Sequence, residues 1–369
     1  MAGDSISRGW KSKFATILFI SLSAIAVKEM GGTILSTNDE MTSLVTALKF
    51  PGHDQTLQET YTGLSSVDHG LRTLVAAFLP GVAGWDTNTQ VQQIYFFASF
   101  FPIISIWSVE AGRRGNASSF LTWTSIWAIF YQTVGGAVVI PLWYVLFFRN
   151  SAKESSWLPA SRLVDTSYAK ALLPALLLGY LLPTVAMYIP FPDPGFKIHQ
   201  TLIALWQPCP LYVNFLLVII SAYVGKQNTA PKDNLSPSNL KYLHRVYITG
   251  FAVSAFVHII TIILCISQKV PQISFVHSLL CVPAAERLTL TGSLHYIFQV
   301  DCLIILAAAL ASAWGVMWDL KHFGQANIST GEIAIQMAVT TVLFGPGATV
   351  AGVWLLREHM MADKSVKRA

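Results

Sequence analysis

Apolar runs long enough to cross a bilayer recur along this chain, and no other feature constrains its fold so strongly. A transmembrane helix needs about 20 consecutive, mostly apolar residues. Eight runs meet or approach that length: 14–35, 91–110, 119–148, 170–190, 199–225, 243–268, 293–317 and 333–357. Composition agrees. Of 369 residues, 53% are hydrophobic and 12% are Lys, Arg, Asp or Glu, whereas a soluble domain carries about 25% charged residues. Only helices and closed barrels satisfy their backbone in lipid, and these runs are too long for barrel strands. The expected fold is all-α, a polytopic membrane helix bundle with about eight transmembrane helices and both termini on one face.

The first run is interrupted by Lys28 and Glu29. No small-residue cleavage site precedes Lys28, so it reads as a helix rather than a signal peptide. Residues 1–369 form one transmembrane helical domain with a single long excursion, 36–90. That loop is polar at first and turns amphipathic at LRTLVAAFLPGVAGW (71–85). Pro80 and the glycines leave this piece too short to span, so it is expected to be interfacial or re-entrant. Residues 226–242 read as a polar connector. No internal repeat is visible, which argues against a transporter built from inverted halves.

The net charge of +5 comes from basic residues spread over termini and loops. Without a clustered patch it gives no sign of nucleic-acid binding. The spread is nearly even between the two faces, so the positive-inside rule leaves orientation open. Cys209, Cys265, Cys281 and Cys302 are scattered, with no CxxC pair, and imply neither a disulfide framework nor a zinc site.

Ionisable residues inside a membrane are costly and point to function. The acids in or beside the runs are Glu29, Glu110, Asp301 and Asp319. With eight crossings, Glu110 ends its helix on the face that holds the termini, and Asp301 lies in that same half. Asp319 follows 18 residues later, on the same side of the helix but about 27 Å away, near the opposite face. Trp206, Gln207 and His258 fall in the half with Glu110. The expected site is a cavity lined by Glu110, Asp301, Gln207, His258, Trp107 and Trp206. Tyr131, Gln132, Phe298 and Arg113 complete the candidate substrate-binding set.

Each has a plainer reading. Glu110 can pair with Arg113 or Arg114 as a helix-end anchor, and Glu29 can pair with Lys28. Asp319, beside Lys321 and His322, fits interfacial structure, and tryptophans near helix ends commonly form the interfacial belt. Gln132 with Gly135 and Gly136 fits close helix packing. Asp301 is harder to explain away, because no Lys or Arg lies within two turns of it.

A lone carboxyl in an apolar cavity can keep its proton and act as a general acid. Aromatic faces stabilise cations, and exclusion of water protects a carbocation from capture. Those are the needs of a cyclase that protonates an epoxide or an olefin.

Several local motifs carry a resemblance. Glu110-x2-Arg113-Arg114-x-Asn116, Tyr131-Gln132 followed by Gly135 and Pro141-Leu142, LLGYLLP (177–183), LWQPCPLY (205–212) and Trp318-Asp319 together resemble fungal membrane proteins of meroterpenoid and indole-diterpene pathways. Among these are transmembrane terpene cyclases, including eight-span cyclases of the ascofuranone and ascochlorin type. The resemblance runs from about residue 60 onward. It implies a farnesylated aromatic substrate with an epoxidised terminal olefin, cyclised through a carbocation without metal or cofactor, in the endoplasmic reticulum membrane. In smaller cyclases of this kind the acids come from an early and a late helix, and Glu110 and Asp301 suit those roles. Two rivals stand beside this reading. A prenyltransferase would need aspartate-rich magnesium motifs such as DxxxD, and none occurs. A transporter or receptor for a small lipophilic molecule is the alternative from another class. The expected partners are a lipophilic substrate and membrane lipid.

Overall fold

The structure, a computed structural model, describes residues 7–227, 239–267 and 273–368. Most of the 226–242 connector lies outside them. The described residues contain no β-strand and form a bundle of helices. In chain order these are α1 (Lys11–Ala47), α2 (Ser65–Val82), α3 (Thr87–Ala111), α4 (Thr124–Val134) and α5 (Gly136–Asn150). There follow α6 (Thr166–Met187), α7 (Lys197–Trp206), α8 (Cys209–Gln227) and α9 (Leu240–Ser267). The chain ends with α10 (Leu290–His322), α11 (Thr330–Phe344) and α12 (Pro346–Arg368). Among the described residues, six helices are long and apolar enough to cross a membrane: α1, α3, α6, α8, α9 and α10.

The two remaining apolar runs are built differently from the expectation. Residues 119–148, read from hydropathy as one crossing, are two helices joined at Gly135, whose φ of 108° is strained for residues with a side chain. Both ends of this pair lie at the same end of the bundle, because Asn150 donates from Nδ2 to Asn116 Oδ1 at 2.5 Å. The run 333–357 behaves the same way. Gly345, φ 88°, separates α11 from α12. The pair starts at Thr330, whose carbonyl accepts from Trp314 Nε1, and returns to Glu358, which pairs with Arg113.

This overturns the expected placement of the acids. A segment that turns back reverses the direction of every later crossing. Asp319 therefore ends α10 at the end of the bundle that holds Glu110, where it accepts from Arg8 Nε at 2.7 Å and Nη2 at 2.6 Å. Asp301 lies in the other half, about 27 Å back along the helix. Arg8, near the N-terminus, and Glu358, in α12, share the Glu110 end.

The packing also contains a repeat that the residues do not advertise. α5 packs along α1 and α10, and α12 packs along α9 and α3. α1 lies on α10 as α9 lies on α3. Two sets, α1–α3–α4–α5 and α9–α10–α11–α12, thus share one plan and run in the same direction, so the halves are not inverted.

The 36–90 excursion is shorter than expected. α1 continues to Ala47, and α2 occupies 65–82 with Pro80 in its last turn. α2 is held at its start by Asp68. Its carboxylate accepts from the backbone N–H groups of Tyr61 (3.1 Å), Thr62 (2.7 Å) and Gly63 (3.0 Å), and from Thr62 Oγ1 (2.9 Å). Burial alone would raise its pKa, but these donors outweigh burial and hold the carboxyl below its ordinary value. α2 is thereby docked against α3 and α7, with Phe78 turned inward.

Candidate functional site

A cavity of about 350 Å³ lies between α1, α2, α3, α7, α10 and the Gly135 tip. Its wall is largely aromatic. Phe78 meets Phe298 edge-on at 4.8 Å, Phe97 lies 4.7 Å from Trp206, and Phe100 meets Tyr131 edge-on at 5.6 Å. Edge-to-face contact at these separations is an arrangement that aromatic pairs favour.

Asp301 is on this wall, and the break at Gly135 explains its position. The first N–H groups of a helix have no acceptor within the helix. Ala137 is the second residue of α5, and its N–H donates to Asp301 Oδ1 at 2.5 Å. The carboxyl of α10 thus caps the first turn of α5. The approach needs Gly136, where a Cβ would lie 2.6 Å from Ile305 Cδ1 and 3.4 Å from Asp301 Oδ1. Among the described residues, Asp301 has no ion-pair partner, and only Oδ1 is hydrogen-bonded.

Tyr131, Gln132, Trp206, Gln207 and Phe298 line the same cavity. Trp206 is fixed from behind by its Nε1, which donates to Thr184 Oγ1 at 2.8 Å. Gln132 donates from Nε2 to the Gln207 carbonyl at 2.6 Å. That carbonyl is free of the helix ladder because Leu211 N, its i+4 donor, bonds to Pro208 O instead.

Glu110, Arg113, Trp107 and His258 are elsewhere. Glu110 lies about 15 Å further along α3 than Phe100, so it does not share a cavity with Asp301. It sits in a buried ionic cluster. Its Oε1 accepts from Arg113 Nε at 2.9 Å and Arg357 Nη1 at 2.6 Å. Glu358 accepts from Arg113 Nη2 at 2.6 Å and Arg162 Nη2 at 2.7 Å. Asn116 closes the turn by donating to the Glu110 carbonyl at 2.8 Å. The cluster ties α3 to α12 and to the 159–165 segment. Trp107 is buried in a stack on Trp143 at 4.6 Å, one ring behind Tyr131. His258 packs at the second glycine break, with Nδ1 2.9 Å from Tyr95 Oη and Nε2 3.1 Å from the Val342 carbonyl.

Sequence reasoning passes over Phe78, Phe97 and Phe100, because a phenylalanine inside an apolar run carries no polar signal. For Phe78 one sign existed: the amphipathic pattern at 71–85 calls for a partner on its apolar side. Among the described residues no group of three or more His, Cys, Asp or Glu could hold a metal ion.

An all-helical membrane bundle, with an aromatic cavity and one unpaired carboxyl on its wall, is the class of protein that fold and site define. The chain belongs to the CtvD domain family, whose model matches residues 14–362. It is similar to terpene cyclase ascI of Acremonium egyptiacum, 26% identical over 80% of this chain and 78% of that one. It is likewise similar to terpene cyclase resF of Aspergillus sclerotiorum, 27% identical over 80% and 81%. A third relative, the FAD-dependent monooxygenase verC1 of Penicillium polonicum, is 26% identical over 72% of this chain, which spans only 32% of that longer protein. No solved structure matches.

Proposed function

We propose that this protein is a terpene cyclase that protonates the terminal epoxide, or olefin, of a farnesylated aromatic substrate in meroterpenoid biosynthesis, and that Asp301 supplies the proton. The observation that carries the reading is the carboxyl of Asp301 on an aromatic-lined cavity with no cation beside it among the described residues. An unpaired carboxyl in apolar surroundings favours its protonated form. It donates to the epoxide oxygen, the C–O bond to the tertiary carbon breaks, and the charge passes to that carbon. Phe78, Phe97, Phe100, Trp206 and Phe298 line the path of the migrating cation, whose charge is stabilised wherever it lies over a π face. Closure by an internal nucleophile or an alkene and loss of a proton yields an isomer of the substrate. Among the described residues that line the cavity, Asp301 is the one carboxylate, and once its proton has left it serves as the base that takes the final proton.

The names of the relatives support cyclisation, and the apolar helices support a membrane location, which we assign to the endoplasmic reticulum. Membranes containing the protein, incubated with an epoxyfarnesyl phenol, should convert it to a cyclic product of identical mass. Recovery of unchanged substrate, with folded protein in the membrane, overturns the reading.

A further inference from the structure

A second cavity, of about 400 Å³, adjoins the first on its outer side, between α2, α4 and the α7–α8 junction. The two share Leu74, Gln132, Thr133 and Gln207 as their common wall. Outward, the second cavity is bordered by Val67, Ile129 and Leu205, which are 45%, 52% and 55% exposed. Large apolar side chains this open, on helices of a membrane bundle, face lipid. The chamber therefore leads from the apolar surroundings to the wall behind which Asp301 sits.

That wall holds an unspent donor. Gln207 is only 7% exposed, yet among the described residues its side-chain Nε2 has no acceptor. A buried amide N–H without a partner is costly and calls for an oxygen that the protein does not supply. The neighbouring Gln207 carbonyl is already held by Gln132. The Gln207 side chain thus offers a free donor on a residue that borders both chambers.

We infer that the second cavity is the lateral port and head-group seat for an elongated lipophilic substrate. Its hydrocarbon end passes the Gln132–Gln207 wall to Asp301. Its oxygen-bearing head stays in the outer chamber and accepts a hydrogen bond from Gln207 Nε2. This rests on the cyclase reading for the identity of the substrate. A rival mouth exists at the end of the bundle opposite Glu110. It is a chamber of about 900 Å³ bordered by Asp39, Glu40, Lys49 and His53. It touches the Asp301 cavity only through Leu294, and its charges suit water better than a hydrocarbon chain.

The test uses a farnesyl phenol carrying a diazirine on its ring, photolysed in membranes that contain the full chain. The label should fall on α4 and α7 around Ile129 and Leu205, and Leu205→Trp, which narrows the chamber from the lipid side, should abolish it. Label instead at His53, or at Trp85 or Leu290, which also border the rival chamber, or no saturable label, overturns the port. The label is read whether or not turnover occurs, so an inactive wild type with a labelled chamber would sink the cyclase reading alone. Gln207→Met should raise KM about tenfold for the epoxyfarnesyl phenol. It should leave KM unchanged for the matching epoxyfarnesyl benzene, which lacks the head oxygen. Equal effects on the two substrates overturn the Gln207 contact.

Discussion

Asp301 and Ala137 are joined across two helices: the carboxyl oxygen Oδ1 of one accepts the backbone N–H of the other at 2.5 Å. One side chain thus caps a helix that starts in the middle of the bundle and also faces the aromatic cavity. The capping role survives replacement by asparagine, whose amide oxygen still accepts from Ala137, whereas the transferable proton does not. Asp301→Asn should fold and insert normally and lower turnover by about 10²- to 10⁴-fold, the usual contribution of general acid catalysis. Single-turnover assays on membranes with equal amounts of folded protein check this. Near-normal turnover would move the acid elsewhere.

Turnover should also persist in excess EDTA. Protonation by a side chain needs no divalent ion, and the described residues bring no group of three or more His, Cys, Asp or Glu together. Loss of activity on chelation, restored by magnesium, would favour ionisation of a diphosphate instead.

Hydropathy made the membrane bundle legible, and the absence of Lys or Arg near Asp301 marked that residue out. What it hid was direction. A sliding window counts apolar length and cannot see a single glycine reverse the path, so 119–148 and 333–357 read as crossings. The signs were present but weak: Gly135-Gly136 and Gly345-Pro346-Gly347 stand in the middle of those runs, and 119–148 is longer than a span needs. The reversed parity separated Glu110 from Asp301 and brought Glu110 to Asp319's end. The aromatic wall was illegible for another reason, since lipid-facing and cavity-facing phenylalanines look alike in a sequence.

The two glycine breaks should respond differently to substitution. At Gly135 a side chain would have to adopt φ 108°, a strain of about 1–3 kcal/mol, and its Cβ would meet Met30 Cε at 2.9 Å. Gly135→Ala should therefore lower thermal stability and also reduce kcat, because it displaces the N–H that positions Asp301. Gly345→Ala, at φ 88° beside His258, lines no part of the Asp301 cavity and should cost stability with kcat retained. Melting temperature in detergent and kcat, measured on both variants, separate the two effects.

Asp68 gives a dependence on pH. The carboxyl has a lowered pKa in the folded protein, so its stabilising effect is present above its unfolded pKa and fades as pH falls through the folded value. Asp68→Ala should melt lower than the wild type at neutral pH. The gap should narrow steadily as the solution is acidified through the carboxylate range. A gap that stays constant with pH would mean that packing of α2, not the charge, is what the substitution removes.

Glu110 should behave as the opposite of Asp301. It belongs to a buried set of three arginines, Arg113, Arg162 and Arg357, against two glutamates, Glu110 and Glu358. Glu110→Gln leaves three buried positive charges facing one negative charge. Removing one partner of a buried pair typically costs about 3–5 kcal/mol, because the other is left uncompensated. The variant should therefore lose thermal stability heavily, while turnover per folded molecule stays within a few-fold of the wild type. Removing one of the opposing charges should restore part of the balance. Glu110→Gln with Arg357→Gln should be less destabilised than the two single losses added together, as expected for residues in one network. Melting curves for the two singles and the double, beside turnover normalised to folded protein, decide the matter. If Glu110→Gln melts like the wild type but loses turnover as Asp301→Asn does, Glu110 takes part in the chemistry and its arginine cluster is not merely an anchor.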